Sequence, residues 1–129
     1  VTVLIGRGEL VAIQILKELF PSSAVVEMQV PLYKLLLPQY REGLSERQQK
    51  ETIDIVVNRR HKRRLCVRIQ DAHHSNNTMS KIDKIQRNLL EYSWNDVIDV
   101  EERECPELFK DNLNGPSRKE LKYYMKSYL

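Results

Sequence analysis

Apolar positions along the chain fall into two rhythms, one of helical period and one of alternation. Glu9 to Phe20 carries good helix formers, with Leu10, Ile13, Leu16 and Phe20 spaced along one face and Pro21 just beyond, which predicts a first helix. Val25, Val26, Met28, Val30 and Leu32 predict a strand. Pro38 to Glu51 is polar, and Ser45 with Gln48 has the spacing of a capping box, so a loop with one short helical turn is expected there. Thr52 to Val57 and Leu65 to Asp71 are β-branched or apolar runs on either side of a short polar segment, the pattern of a hairpin. After the polar stretch Ala72 to Ser80, Ile82, Ile85, Leu89 and Tyr92 predict one side of a further helix, with Lys81, Lys84, Arg87 and Glu91 on the other. Asp96 to Val100 predicts a short strand. Ser117 and Glu120 have capping-box spacing before Leu121, Tyr124, Met125 and Tyr128, which predicts a last helix. The order helix, strand, hairpin, helix, strand, helix predicts an α/β (α+β) sheet covered by helices, not a bundle or a repeat array.

Length changes this picture little: 129 residues suit one domain, 1–129. Apolar residues make up 41% and charged residues 30%, enough for one core and a solvated surface. No apolar run approaches the roughly 20 residues that span a bilayer, and Val1 to Ile5 lacks the length and basic flank of a secretory signal. The expectation is a cytoplasmic protein without a membrane partner. Cys66 and Cys105 have no clustered Cys or His neighbour, which argues against a zinc site, and Cys66 in an apolar run is expected as a buried free thiol. A net charge of +3 permits a nucleic-acid partner without requiring one, so the distribution of charge matters more than its sum.

Candidate chemistry gathers on the hairpin. By strand parity Asp54 lies opposite Ile53, Ile55 and Val57, while Arg68 and Gln70 face away from Val67 and Ile69. Pairing of the two strands is expected to bring Asp54, Arg68 and Gln70 onto one polar patch. Carboxylates on adjacent elements are what Mg²⁺ needs to be held against a phosphate.

Glu9 on the first helix, Asp54 on the hairpin, and Val67-Arg68-Ile69-Gln70-Asp71-Ala72-His73-His74 on its second strand resemble the PD-(D/E)XK nuclease superfamily, closest in pattern to its very-short-patch-repair-like branch. Asp83, Lys84 and Leu89 on the next helix and Val97 to Val100 after it follow the same order, so the resemblance covers about Glu9 to Val100. It implies a restriction-endonuclease-like mixed sheet with a central hairpin, flanked by helices. It also implies a site made of Glu9, Asp54, Arg68, Gln70, Asp71 and His74, with Glu9 and Asp54 as metal ligands and Mg²⁺ as cofactor if the site is active, and none otherwise. Arg68 stands where the family has its second metal carboxylate, and Gln70 where it has Lys or Asp. The expectation is a degenerate metal seat filled by the Arg68 guanidinium, in which Arg68→Glu with Gln70→Lys would restore the family pattern. An active Mg²⁺-dependent DNA endonuclease and a protein-interaction module on the same scaffold are the alternatives.

Arg59, Arg60, Lys62, Arg63 and Arg64 crowd the segment between the hairpin strands. They read either as a solvated tip or as a clamp for nucleic-acid phosphates, most simply DNA, extended by Lys81, Lys84 and Arg87. The tail tyrosines Tyr123, Tyr124 and Tyr128 are candidates for core packing or a homodimer contact.

Overall fold

The structure, a computed structural model, describes residues 6–70 and 77–129. Helix α1 (Glu9–Leu19) begins after a tight turn in which Gly8 has φ 83°, a left-handed conformation. The Gly8 amide donates to Asp111 Oδ1 at 2.6 Å, and a Cβ there would lie 3.0 Å from the Leu108 carbonyl oxygen. Conformation and space therefore both demand glycine. Gly8→Ala is expected to cost about 2 kcal/mol, read as a lower urea midpoint. A midpoint equal to that of the parent protein would mean that the turn relaxes freely.

Strand β1 (Val25–Pro31) leads through a 3-10 turn, Leu32–Leu35, and two single-turn helices, α2 (Pro38–Arg41) and α3 (Glu46–Gln49). The expected capping box forms: Ser45 Oγ accepts from the Gln48 amide at 3.2 Å, and the Ser45 amide donates to Gln48 Oε1 at 2.9 Å. Strands β2 (Thr52–Asn58) and β3 (Leu65–Gln70) form the hairpin. Helix α4 (Asn77–Tyr92) then crosses to β4 (Asp96–Glu101), and α5 (Pro106–Phe109), α6 (Gly115–Met125) and a 3-10 turn, Lys126–Tyr128, close the described chain. The sheet order is β1-β2-β3-β4, with the first two pairings antiparallel and β3–β4 parallel. The fold is thus a mixed α/β arrangement around a four-stranded mixed sheet whose two middle strands are the hairpin. No helix of the described residues is long and apolar enough to cross a membrane.

Each face of the sheet has its own core. On the first, Ile55, Val57, Leu65, Val67, Ile69, Ile98 and Val100 pack with α1, α5 and α6; on the second, Ile53, Val56, Cys66 and Val97 pack with Leu90 of α4 and with Leu32, Leu35 and Leu36. Both cysteines are free and buried, and burial pushes each thiol up to about 12, which makes them inert packing groups.

Three local expectations need correction. On α1 Ile13, Leu16 and Phe20 are buried as expected, but Leu10 is 56% exposed, and Val11, Ala12 and Ile15 complete the buried face. On α4 the expected apolar side is also rotated, since Ile85 and Tyr92 are exposed while Leu90 is fully buried. The cause lies beneath that helix, where the sheet presents the polar pair Arg68 and Asp99 and so draws in Gln86 and Arg87. Finally, α6 is capped by Asn114, not Ser117. Asn114 and Ser117 form the reciprocal box, with Gly115 and Pro116 inside the first turn. Glu120 is left to accept from the amides of Glu107 and Leu108 at the start of α5, a four-residue helix that alternation and period did not announce.

Candidate functional site

Strands β1 and β2 change faces together at one level. Val26 and Met28 pack with the first core but Val30 with the second; likewise Ile55 and Val57 belong to the first and Ile53 to the second. The residues at the change are Gln29 and Asp54, and Gln29 has φ 50°. A left-handed residue inside a strand rotates the chain, so simple parity fails there. Asp54 is therefore not opposite Ile53, Ile55 and Val57 alike, as alternation alone suggests.

Next to this kink β2 and β3 part. Their ladder runs over Ile55–Val67, Val56–Cys66 and Val57–Leu65. One step further the Asp54 carboxylate enters the gap and accepts from the Ile69 amide at 2.7 Å. A side chain thereby replaces a ladder bond and fixes Asp54 at the split. Helix α1 delivers Glu9 to the same place, 6% exposed and in hydrogen-bond contact with Asp54. Gln29 braces the pair: its Nε2 donates to Glu9 Oε2 at 2.8 Å, and its Oε1 accepts from Thr52 Oγ1 at 2.6 Å. Gln29 and Thr52 were not singled out from the sequence. The available signal was a polar residue between Met28 and Val30, where the apolar pattern of the strand is broken a second time after Glu27.

Two carboxyls in contact, one of them buried, do not both ionise readily. Burial first, and then Asp54 beside it, push the Glu9 carboxyl up from 4.5 to about 7, against smaller opposing effects of Gln29 and the Gly6 backbone. Glu9 therefore keeps its proton to a higher pH than a free glutamate does. A guanidinium seated between them would have drawn Glu9 down instead.

Arg68 lies elsewhere, which corrects the expectation that it fills the seat. It shares parity with Cys66 of the second core and is 4% exposed. Nε and Nη2 donate to the two oxygens of Asp99 at 2.6 and 2.8 Å, and Nη1 donates to the Asp83 carbonyl and to Gln86 Oε1 at 2.8 and 3.2 Å. Its head is thus turned to β4 and α4, while Glu9 comes from α1 across the sheet. Strand parity puts Gln70 on Arg68's side as well; its Oε1 is buried and has no hydrogen-bond partner among the described residues. Asp71, His73 and His74 lie outside the described residues. Among the described residues no group of three or more His, Cys, Asp or Glu is placed to hold a metal.

The basic segment divides by role. Arg59 is turned inward: it donates to the Arg63 carbonyl at 2.7 Å and to Asp96 Oδ2 at 3.2 Å, and lies 5.5 Å from the centre of the Tyr128 ring. Arg64 donates to the carbonyls of Leu35 and Lys34 at 3.0 and 3.4 Å. These two arginines anchor the base of the turn. Arg60, Lys62 and Arg63 between them are exposed, as are Lys81 and Lys84 on α4. Arg87 is committed to Asp99, Glu91 and the Val97 carbonyl. The exposed turn sits beyond Leu65, four residues or about 13 Å along β3 from the Ile69 amide that holds Asp54.

No protein-family model, curated protein or solved structure matches the chain.

Proposed function

We propose that this protein is a nucleic-acid-binding domain of restriction-endonuclease-like architecture, with a two-carboxylate seat for a divalent cation and little or no cleavage activity. The observation that carries the reading is the meeting of helix-borne Glu9 and strand-borne Asp54 where the hairpin strands part. In the PD-(D/E)XK superfamily a helix Glu and a hairpin Asp serve together, and the resemblance of residues 9–100 follows the same order. The donor chemistry fits Mg²⁺ or Mn²⁺, which take hard oxygen ligands and fill remaining positions with water or phosphate oxygen. Such a cation, when bound, would neutralise charge on a phosphodiester. On this chain Glu9 and Asp54 would hold it, with Gln29 orienting Glu9. Two described carboxylates form a sparse set, and the exposed turn of Arg60, Lys62 and Arg63 supplies phosphate contacts independently of any cation. Binding without efficient cutting follows from that balance.

Calorimetry with Mn²⁺ tests the seat. Weak binding to the parent protein, lost in Asp54→Asn, is the expected result, together with little or no nicking of supercoiled plasmid. Efficient nicking abolished by Asp54→Asn would make the protein an active nuclease instead. Mn²⁺ affinity indifferent to Asp54→Asn would remove the seat. Duplex DNA supplies the second arm: replacing Arg60, Lys62 and Arg63 with Gln should lower the slope of log affinity against log salt by about 0.9 per lost phosphate contact. An unchanged slope would leave these three residues as a solvated tip.

A further inference from the structure

At its C-terminal end α4 is closed by a Schellman-type pair of bonds, from the Asn95 amide to the Leu90 carbonyl at 3.1 Å and from the Trp94 amide to the Glu91 carbonyl at 3.2 Å. The residue between, Trp94, must then be left-handed, and its φ is 65°. Glycine is the usual occupant of that position, and a bulky aromatic side chain there is strained. The side chain gains little shelter in return, being 63% exposed. Asn95, by contrast, is locked beneath it by side-chain bonds to the Leu35 and Leu90 carbonyls at 2.9 and 3.0 Å. Folding thus gives no account of an exposed indole at a glycine position on a rigid corner.

Parallel pairing of β3 and β4 brings this corner to the exposed basic turn, because Leu65 lies opposite Asp96. The Arg63 guanidinium stands 5.1 Å from the centre of the Trp94 ring. Arg60 and Lys62 are exposed in the same turn, whose base Arg59 and Arg64 hold in place. An aromatic face beside exposed cations is the arrangement that binds unpaired nucleotides, with a base stacked on the ring and its phosphates at the cations. We propose that Trp94, with Arg63 at its side and Arg60 and Lys62 for the backbone, is a stacking platform for unpaired bases of a single-stranded nucleic acid. This rests on the nucleic-acid reading above and gives it a substrate form. Charge chooses the occupant: an aromatic ring with one arginine over it and two more exposed cations in the adjoining turn suits a polyanion with flat apolar bases better than a neutral peptide.

Trp94 is the only tryptophan of the chain, so its fluorescence reports the site directly. A short oligothymidylate should quench it in low salt. Trp94→Gly, followed by anisotropy of labelled oligothymidylate, should weaken binding about tenfold, while affinity for a mixed-sequence duplex of equal length stays within twofold. The same variant should melt no lower than the parent, because glycine relieves the left-handed strain; a binding loss from misfolding is thereby separated from loss of the platform. Unchanged oligothymidylate affinity in Trp94→Gly, with binding that still depends on salt, would overturn the platform and leave the phosphate contacts standing. Failure of the parent protein to bind either oligonucleotide would overturn the nucleic-acid reading as well and return the patch to protein contact.

Discussion

Arg68→Glu is expected to unfold the domain. The side chain it replaces is buried, holds Asp99 through two bonds and also satisfies the Asp83 carbonyl and Gln86. Removing one partner of such a pair costs about 3–5 kcal/mol, and a second carboxylate facing Asp99 adds repulsion in a poorly solvated place. Against a typical domain stability of about 5–15 kcal/mol, the total brings folding to its limit. Arg68→Met loses the same bonds but adds no second carboxylate, keeps most of the volume and leaves Asp99 with Arg87 at 3.0 Å, so it should be milder than Arg68→Glu. Urea titration followed by circular dichroism separates the two variants. If Arg68→Glu melted with the parent protein and bound Mn²⁺ more tightly, Arg68 would belong beside Glu9 and Asp54 after all.

That result also explains how far the sequence could be read. Element order and most boundaries were legible because β2 and β3 are compact β-branched or apolar runs and α1 has helical spacing followed by a proline. Glu9 and Asp54 were legible as a pair only through a resemblance, since nothing local in either segment points to the other. The position of Arg68 was misread because parity was carried through Asp54 as though the strand were regular. A left-handed Gln29 breaks that count in β1 and β2, and no residue type in Met28-Gln29-Val30 announces it. The two roles in the basic turn were likewise hidden: Arg59 and Arg64 differ from Arg60 and Arg63 in the carbonyls, and for Arg59 the Asp96 carboxylate and Tyr128 ring, that tertiary packing places within reach. Trp94 was passed over for the same reason. Its interest comes from backbone conformation and exposure, which a list of aromatic residues does not contain.

The Glu9–Asp54 contact makes stability depend on pH with a definite sign. The folded Glu9 carboxyl titrates near 7, and its ordinary value is 4.5. Below about pH 4.5 it is protonated in both folded and unfolded chains, and its contribution is fully present. Between about 4.5 and 7 the folded chain keeps the proton that the unfolded chain releases, so stability falls as pH rises, by about 3 kcal/mol over the whole window. Glu9→Gln cannot lose a proton and should not show that fall. Urea unfolding at pH 5 and pH 8 should therefore find the parent losing about 2–3 kcal/mol relative to the variant. Titrating groups remote from the pair contribute to both proteins and cancel in the difference. A divalent cation held by the pair would take the place of the Glu9 proton, so Mn²⁺ should restore stability to the parent at pH 8 and leave Glu9→Gln much less affected. Parallel pH profiles for the two proteins would show that Glu9 does not hold a proton against Asp54. A parallel gain from Mn²⁺ would place the cation somewhere other than this pair.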